Sequence, residues 1–204
     1  MINFDDINRK EMEITNINQL DLNGTYTYAD YLLWKFKERV ELFKGKVLKM
    51  SPAPASSHQR ISRNLTGILM HFFSKGNCEL FYAPFDVRFP KNNGDIFSVV
   101  QPDLCVICDP NKIDEKGCLG APDLIVEILS PGNSKKEMKL KYELYEENGV
   151  KEYWMVFPIE KSVQIFVLQE GKYIGLKPII EDEILGSTTF PDLKFPAKDI
   201  FDKL

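Results

Sequence analysis

Apolar residues at positions 61, 65, 68, 69 and 72 recur at intervals of three and four, which predicts an amphipathic helix over residues 57–73. Gly76-Asn77 supplies its stop. Upstream, apolar positions 28, 31, 32 and 36 predict a helix over residues 27–39, with Thr27 as its N-cap. Between the two, Val40-Glu41-Leu42-Phe43 and Lys46-Val47-Leu48-Lys49-Met50 flank Lys44-Gly45 and read as a hairpin. Ser51-Pro52-Ala53-Pro54 then breaks the chain.

Further on, the pattern turns to β. Residues 80–89, 99–108, 123–129 and 152–157 read as strands, and a helix fills about 134–148 before Gly149. Runs at 163–168 and 173–176 continue as a meander, and residues 189–204 carry two prolines and a short helix. The strand–helix–strand unit at 123–157 demands a parallel pair. The expected class is α/β, a mixed sheet flanked by helices, with an N-terminal helix and β-hairpin. Residues 1–25, rich in Asn and Asp, read as an arm.

At 204 residues, 44% hydrophobic and 27% charged, the chain is globular rather than disordered. Its net charge of −4 excludes a grip on nucleic acid through overall charge. Residues 35–49 are locally basic, and Arg60 and Arg63 extend that stretch as a candidate phosphate-positioning patch or a solvated face. No apolar run reaches the roughly 18 residues of a membrane span, and the first residues lack a secretory leader. Cysteines at 78, 105, 108 and 118 are too few for a stapled secreted scaffold. A soluble cytoplasmic protein is expected, with Cys105 and Cys108 as buried strand thiols and His71 as a packed side chain.

Three acids stand out. Asp103 and Asp123 each follow a proline at the head of an apolar run, and Glu127 lies inside the second run. A carboxylate within a buried strand is costly unless paired or bound to a cation. Period two puts Asp123 and Glu127 on one face. An edge strand with Glu127 in solvent, or a plain ion pair, is the alternative. At about 100° per residue, Lys141 falls inside the apolar arc of Met138, Tyr142 and Tyr145, so its ammonium is directed at these acids, out along its stem, or at Glu137 four residues earlier. Carboxylates converging with a lysine suit metal-dependent phosphodiester hydrolysis.

The stretches Glu41-Leu-Phe-Lys-Gly-Lys-Val-Leu-Lys-Met-Ser-Pro52, His58-Gln59-Arg60-Ile61 and Ala83-Pro84-Phe85-Asp86-Val87-Arg88 resemble the Uma2 family. So do Val100-Gln101-Pro102-Asp103, Ala121-Pro122-Asp123-Leu-Ile-Val-Glu127-Ile-Leu-Ser-Pro131, Lys141-Tyr-Glu-Leu-Tyr145 and Gly149-Val150-Lys-Glu-Tyr-Trp154. The resemblance implies a PD-(D/E)XK, restriction-endonuclease-like core over residues 26–168, extended by residues 169–204. It implies Asp103 and Glu127 as ligands for Mg²⁺ or Mn²⁺, and Lys141 as the catalytic lysine. Glu41 and His58 would complete the metal or water shell. Leu129 stands where the wider superfamily carries its lysine. The implied activity is a DNA endonuclease. The alternative is an inactive nuclease-like module that binds nucleic acid or a protein, and the late meander offers an edge for a homodimer.

Overall fold

The computed structural model describes residues 14–35, 37–50, 55–130 and 135–204. Its elements begin with α1 (Tyr28–Tyr31), β1 (Val40–Phe43), β2 (Lys46–Lys49), α2 (Ser56–Phe73), β3 (Glu79–Tyr82), β4 (Val87–Pro90) and β5 (Ile96–Val100). They continue with β6 (Leu104–Ile107), β7 (Ile113–Asp114), β8 (Gly117–Leu119), β9 (Leu124–Ile128), α3 (Lys135–Asn148) and β10 (Glu152–Phe157). The chain ends through β11 (Ser162–Gln169), β12 (Lys172–Gly175), β13 (Ile179–Ile180), β14 (Ile184–Gly186), β15 (Lys194–Pro196) and α4 (Lys198–Phe201). Two compact units result: Met1–Met50 with Pro90–Val100, and Ser51–Phe89 with Gln101–Leu204.

In the first unit, β1 pairs antiparallel with β2 around Lys44 and Gly45, as the sequence predicts. Both turn residues have positive φ, 50° and 84°, and a Cβ on Gly45 would sit 2.5 Å from Thr25, so glycine is required there. β5 adds antiparallel to β1, with Leu42 opposite Val99. The helix expected over residues 27–39 is a single turn. Thr27 does cap it, exchanging hydrogen bonds with Asp30. The chain then leaves the helix because Trp34 bridges Ile14 and Lys35 N–H donates to the Ile14 carbonyl at 2.8 Å. Within the basic stretch, Lys46 donates to the Asn23 and Gly24 carbonyls, and Lys49 lies 3.7 Å from Glu38.

The second unit is built on a mixed sheet ordered β12-β11-β10-β9-β6-β3, with β13 on β11. β9 and β10 are parallel across α3, the crossover the pattern demanded, and their neighbours are antiparallel. Two expected strands are each split at a proline, which cannot donate to a ladder. Residues 80–89 divide around Pro84 into β3 and β4, and β4 runs beside β8 instead. Residues 99–108 divide around Pro102 into β5 and β6. The hairpins β7–β8 and β14–β15 were not anticipated.

One face of this sheet packs on α2. Ile61, Leu65 and Leu69 are fully buried with Phe73 against Leu104, Val106, Leu124, Val126, Trp154 and Ile165. Each such side chain contributes about 1.5–3 kcal/mol by its burial. The other face carries α3: Tyr145 packs edge-on against Tyr153, and Tyr142 against Phe166. His71, expected to be packed, is exposed on α2.

The cysteines need a correction. Cys105 and Cys118 are buried and free, but Cys108 is joined to Cys78 in a disulfide. The β3–β6 register explains it: Glu79 opposes Ile107, so the next pair outward is Cys78 and Cys108. The break at 51–54 and the helix start at Ser134 lie outside the described residues. Among the described residues, no helix is long and apolar enough to cross a membrane.

Candidate active site

The antiparallel register of β6 and β9 sets Leu104 opposite Val126 and Cys105 opposite Ile125. Carried one residue further, it sets Asp103 opposite Glu127. Both acids thus lie at the same end of neighbouring strands, where side chains of an opposed pair share a face.

Each carboxylate has one oxygen held by two donors. Asp103 Oδ2 accepts the Ile128 N–H at 2.7 Å and lies 3.2 Å from His58 Nε2. Glu127 Oε1 accepts from Lys141 Nζ at 2.8 Å and from the Tyr145 hydroxyl at 2.6 Å. Glu127 and Lys141 are buried, with side chains 9% exposed, and Tyr145 is completely so. Asp103 is more open, its side chain 21% exposed.

α2 and α3 deliver the donors from different directions. His58 sits in the first turn of α2, and Lys141 and Tyr145 lie four apart on α3, one turn above the other on the face that meets the sheet. Burial works against a charged His58. The hydrogen bond to Asp103, the charges of Asp103 and Glu127, and the Ile128 carbonyl outweigh it, raising the imidazole pKa above its ordinary 6.5. A cavity of about 310 Å³ opens beside His58, walled by Leu129, Met138, Phe157 and Ile159.

Four of the five site residues expected from sequence therefore fall in the second unit: Asp103, Glu127, Lys141 and His58. Glu41 lies in the first unit, in the middle of β1, and is 3% exposed. Asp123 is on the same face as Glu127 but about 13 Å along the strand. There it accepts from the Cys108 N–H at 2.8 Å and from Lys151 Nζ at 2.7 Å, so it serves as an anchor rather than a member of the cluster. Tyr145 was missed, since an aromatic residue in an apolar arc reads as core. Its hydroxyl is the signal that a buried partner was needed.

Among the described residues, no three His, Cys, Asp or Glu side chains form a group that could hold a metal ion. Two carboxylates are nonetheless a donor set suited to Mg²⁺ or Mn²⁺, hard cations that take oxygen ligands and retain water. They do not suit a closed zinc centre.

Residues 28–198 match the family described as "Uma2: Putative restriction endonuclease". The chain belongs to the Uma2 family. A protein of Synechocystis sp. that carries no assigned function is 24% identical over 140 residues, 67% of this chain and 71% of the relative. The fold matches a crystal structure described as "a putative nuclease belonging to DUF820" from Anabaena variabilis, with a TM-score of 0.65 and 22% identity. That match covers 86% of this chain and 97% of the other. A mixed α/β, nuclease-like fold and membership of a nuclease family thus stand together for this Uma2 protein.

Proposed function

We propose that this Uma2 protein is a Mg²⁺- or Mn²⁺-dependent endonuclease that hydrolyses phosphodiester bonds in DNA. The supporting observation is the opposed pair Asp103 and Glu127, with the Lys141 ammonium on Glu127 at 2.8 Å. Asp103 and Glu127 would hold the cation. Such a cation would yield a nucleophile from water near neutral pH and offset charge on the phosphoryl group.

The protein's own groups do the rest. The Ile128 N–H and His58 fix the Asp103 carboxylate, which is turned partly toward solvent where substrate arrives. Lys141, bound to Glu127, orients the attacking water and balances charge that grows on the phosphorane. It replaces the superfamily lysine whose position Leu129 occupies, so the ammonium is supplied from α3 instead of β9. Held beside Asp103 with a raised pKa, His58 stays in its positively charged imidazolium form to higher pH than a free histidine.

Purified protein incubated with Mn²⁺ and supercoiled plasmid should nick it, and Asp103→Asn and Lys141→Ala should not. Nicking no faster than in Lys141→Ala overturns the enzymatic reading. Mn²⁺ titration then separates what is left: binding lost in Asp103→Asn retains the metal site, whereas no binding by wild type leaves a nuclease-like module that holds nucleic acid or a protein without cutting.

A further inference from the structure

We propose that Tyr145 is the positioning residue of this site, setting the orientation in which Glu127 meets a cation, while Lys141 supplies charge for the reaction but opposes cation binding. The inference rests on the metal-dependent reading above and assigns different tasks to two donors that share one oxygen.

Both donors reach Glu127 Oε1, the Tyr145 hydroxyl at 2.6 Å and Lys141 Nζ at 2.8 Å. Two short hydrogen bonds to Oε1 fix the plane of the carboxylate, and with it the direction in which Glu127 would present itself to a cation. The two donors differ in charge. A phenol orients the carboxylate without opposing a nearby cation. An ammonium orients it too, but adds a positive charge within a few ångströms, where a buried setting screens it weakly.

Their mounting differs in the same sense. Tyr145 is fully buried, and its ring packs against Tyr153 at 5.0 Å and Phe89 at 6.2 Å between centroids. Tyrosine has two side-chain torsions to hold, and here packing holds both. Lysine has four, and its flexible stem can move the ammonium when substrate or a cation enters. The rigid neutral donor is thus the one that keeps Glu127 in place through a reaction cycle. Partners in the outer shell of a metal site act in this way, and removing one typically costs about tenfold or more in metal affinity.

Calorimetric Mn²⁺ titration of the full chain tests this directly, alongside thermal unfolding without metal. Tyr145→Phe removes one oxygen and keeps the ring. It should weaken Mn²⁺ binding about tenfold, lower kcat for DNA nicking and leave KM for DNA unchanged. Lys141→Met should bind Mn²⁺ as tightly as wild type or more tightly, although it no longer cuts. Tyr145→Phe with wild-type Mn²⁺ affinity, or Lys141→Met with the larger loss of affinity, overturns the assignment while leaving the nuclease reading intact. A wild-type protein that binds no Mn²⁺ removes both. Should Tyr145→Phe fail to fold, Lys141→Met still decides by the direction of its change.

Discussion

Lys141 Nζ lies 2.8 Å from Glu127 Oε1, and both side chains are buried with 9% of their surface exposed. A charge left without its partner in such a place is costly, because burial strips away most of its hydration. Breaking a buried pair from one side typically destabilises by about 3–5 kcal/mol, whereas apolar replacement of both partners is often neutral. Lys141→Met alone should therefore lose about 3 kcal/mol in urea unfolding without metal. The triple variant Glu127→Leu/Lys141→Met/Tyr145→Phe, which also removes the hydroxyl that donates to Glu127, should recover most of that loss. A single variant as stable as wild type would show that the pair carries no such strain.

His58 makes stability depend on pH. Its folded pKa is raised above 6.5, since the Asp103 hydrogen bond and the charges of Asp103 and Glu127 outweigh burial, which on its own would lower it. A raised histidine pKa contributes stability that is fully present below the unfolded value and is lost as pH rises through the folded value. Unfolding free energy should fall from about pH 6.5 upward until the folded pKa is passed. In His58→Gln this decline should disappear. A titration of the imidazole followed by NMR that gives a pKa below 6.5 contradicts the assignment.

The Cys78–Cys108 bond spans 30 residues, which in the loop-entropy account is about 3–4 kcal/mol of stability. Reductant should lower the urea midpoint, and Cys78→Ser/Cys108→Ser should match the reduced protein. The other two thiols should be silent. Burial drives the Cys105 pKa well above its ordinary value and pushes Cys118 up to about 11. A disulfide-exchange reagent at pH 8 should therefore titrate no thiol in the oxidised native protein and four after reduction and unfolding.

Much of the site was legible because burial contradicts charge in a visible way. Glu127 stands among β-branched neighbours, and Lys141 breaks the apolar arc of its own helix, so each residue pointed to the other. What could not be read depends on register or on contacts remote in sequence. The 27–39 helix ends after one turn because Ile14 claims Trp34 for a bridge. The Cys78 partner follows from how β3 slides against β6. Asp123 looked equivalent to Glu127 by strand period, yet its distance along β9 gives it Lys151 instead. Tyr145 hid inside the helical periodicity that correctly predicted α3, since a hydroxyl leaves no mark on an apolar pattern.

Glu152 is the acid the sequence pattern passed over, and it separates stability from catalysis. It stands at the head of β10 and is completely buried. Its Oε1 accepts from Trp154 Nε1 at 2.6 Å. Its Oε2 accepts from the Ser187 hydroxyl and the N–H groups of Thr188 and Thr189 at 3.0, 2.9 and 2.6 Å. One carboxylate thereby ties the segment between β14 and β15 to the central sheet. Strand alternation puts Glu152 with Trp154 on the α2 face, opposite the face that carries Glu127 and Tyr145. An amide in its place would turn N–H groups toward donors, and each buried group left unmatched costs about 1–3 kcal/mol. Glu152→Gln should lose about 3 kcal/mol in urea unfolding. It should also speed hydrogen exchange at Thr188 and Thr189, and leave Mn²⁺ affinity as in wild type. Slow exchange at both amides in the variant would mean that backbone packing, not this carboxylate, holds the segment.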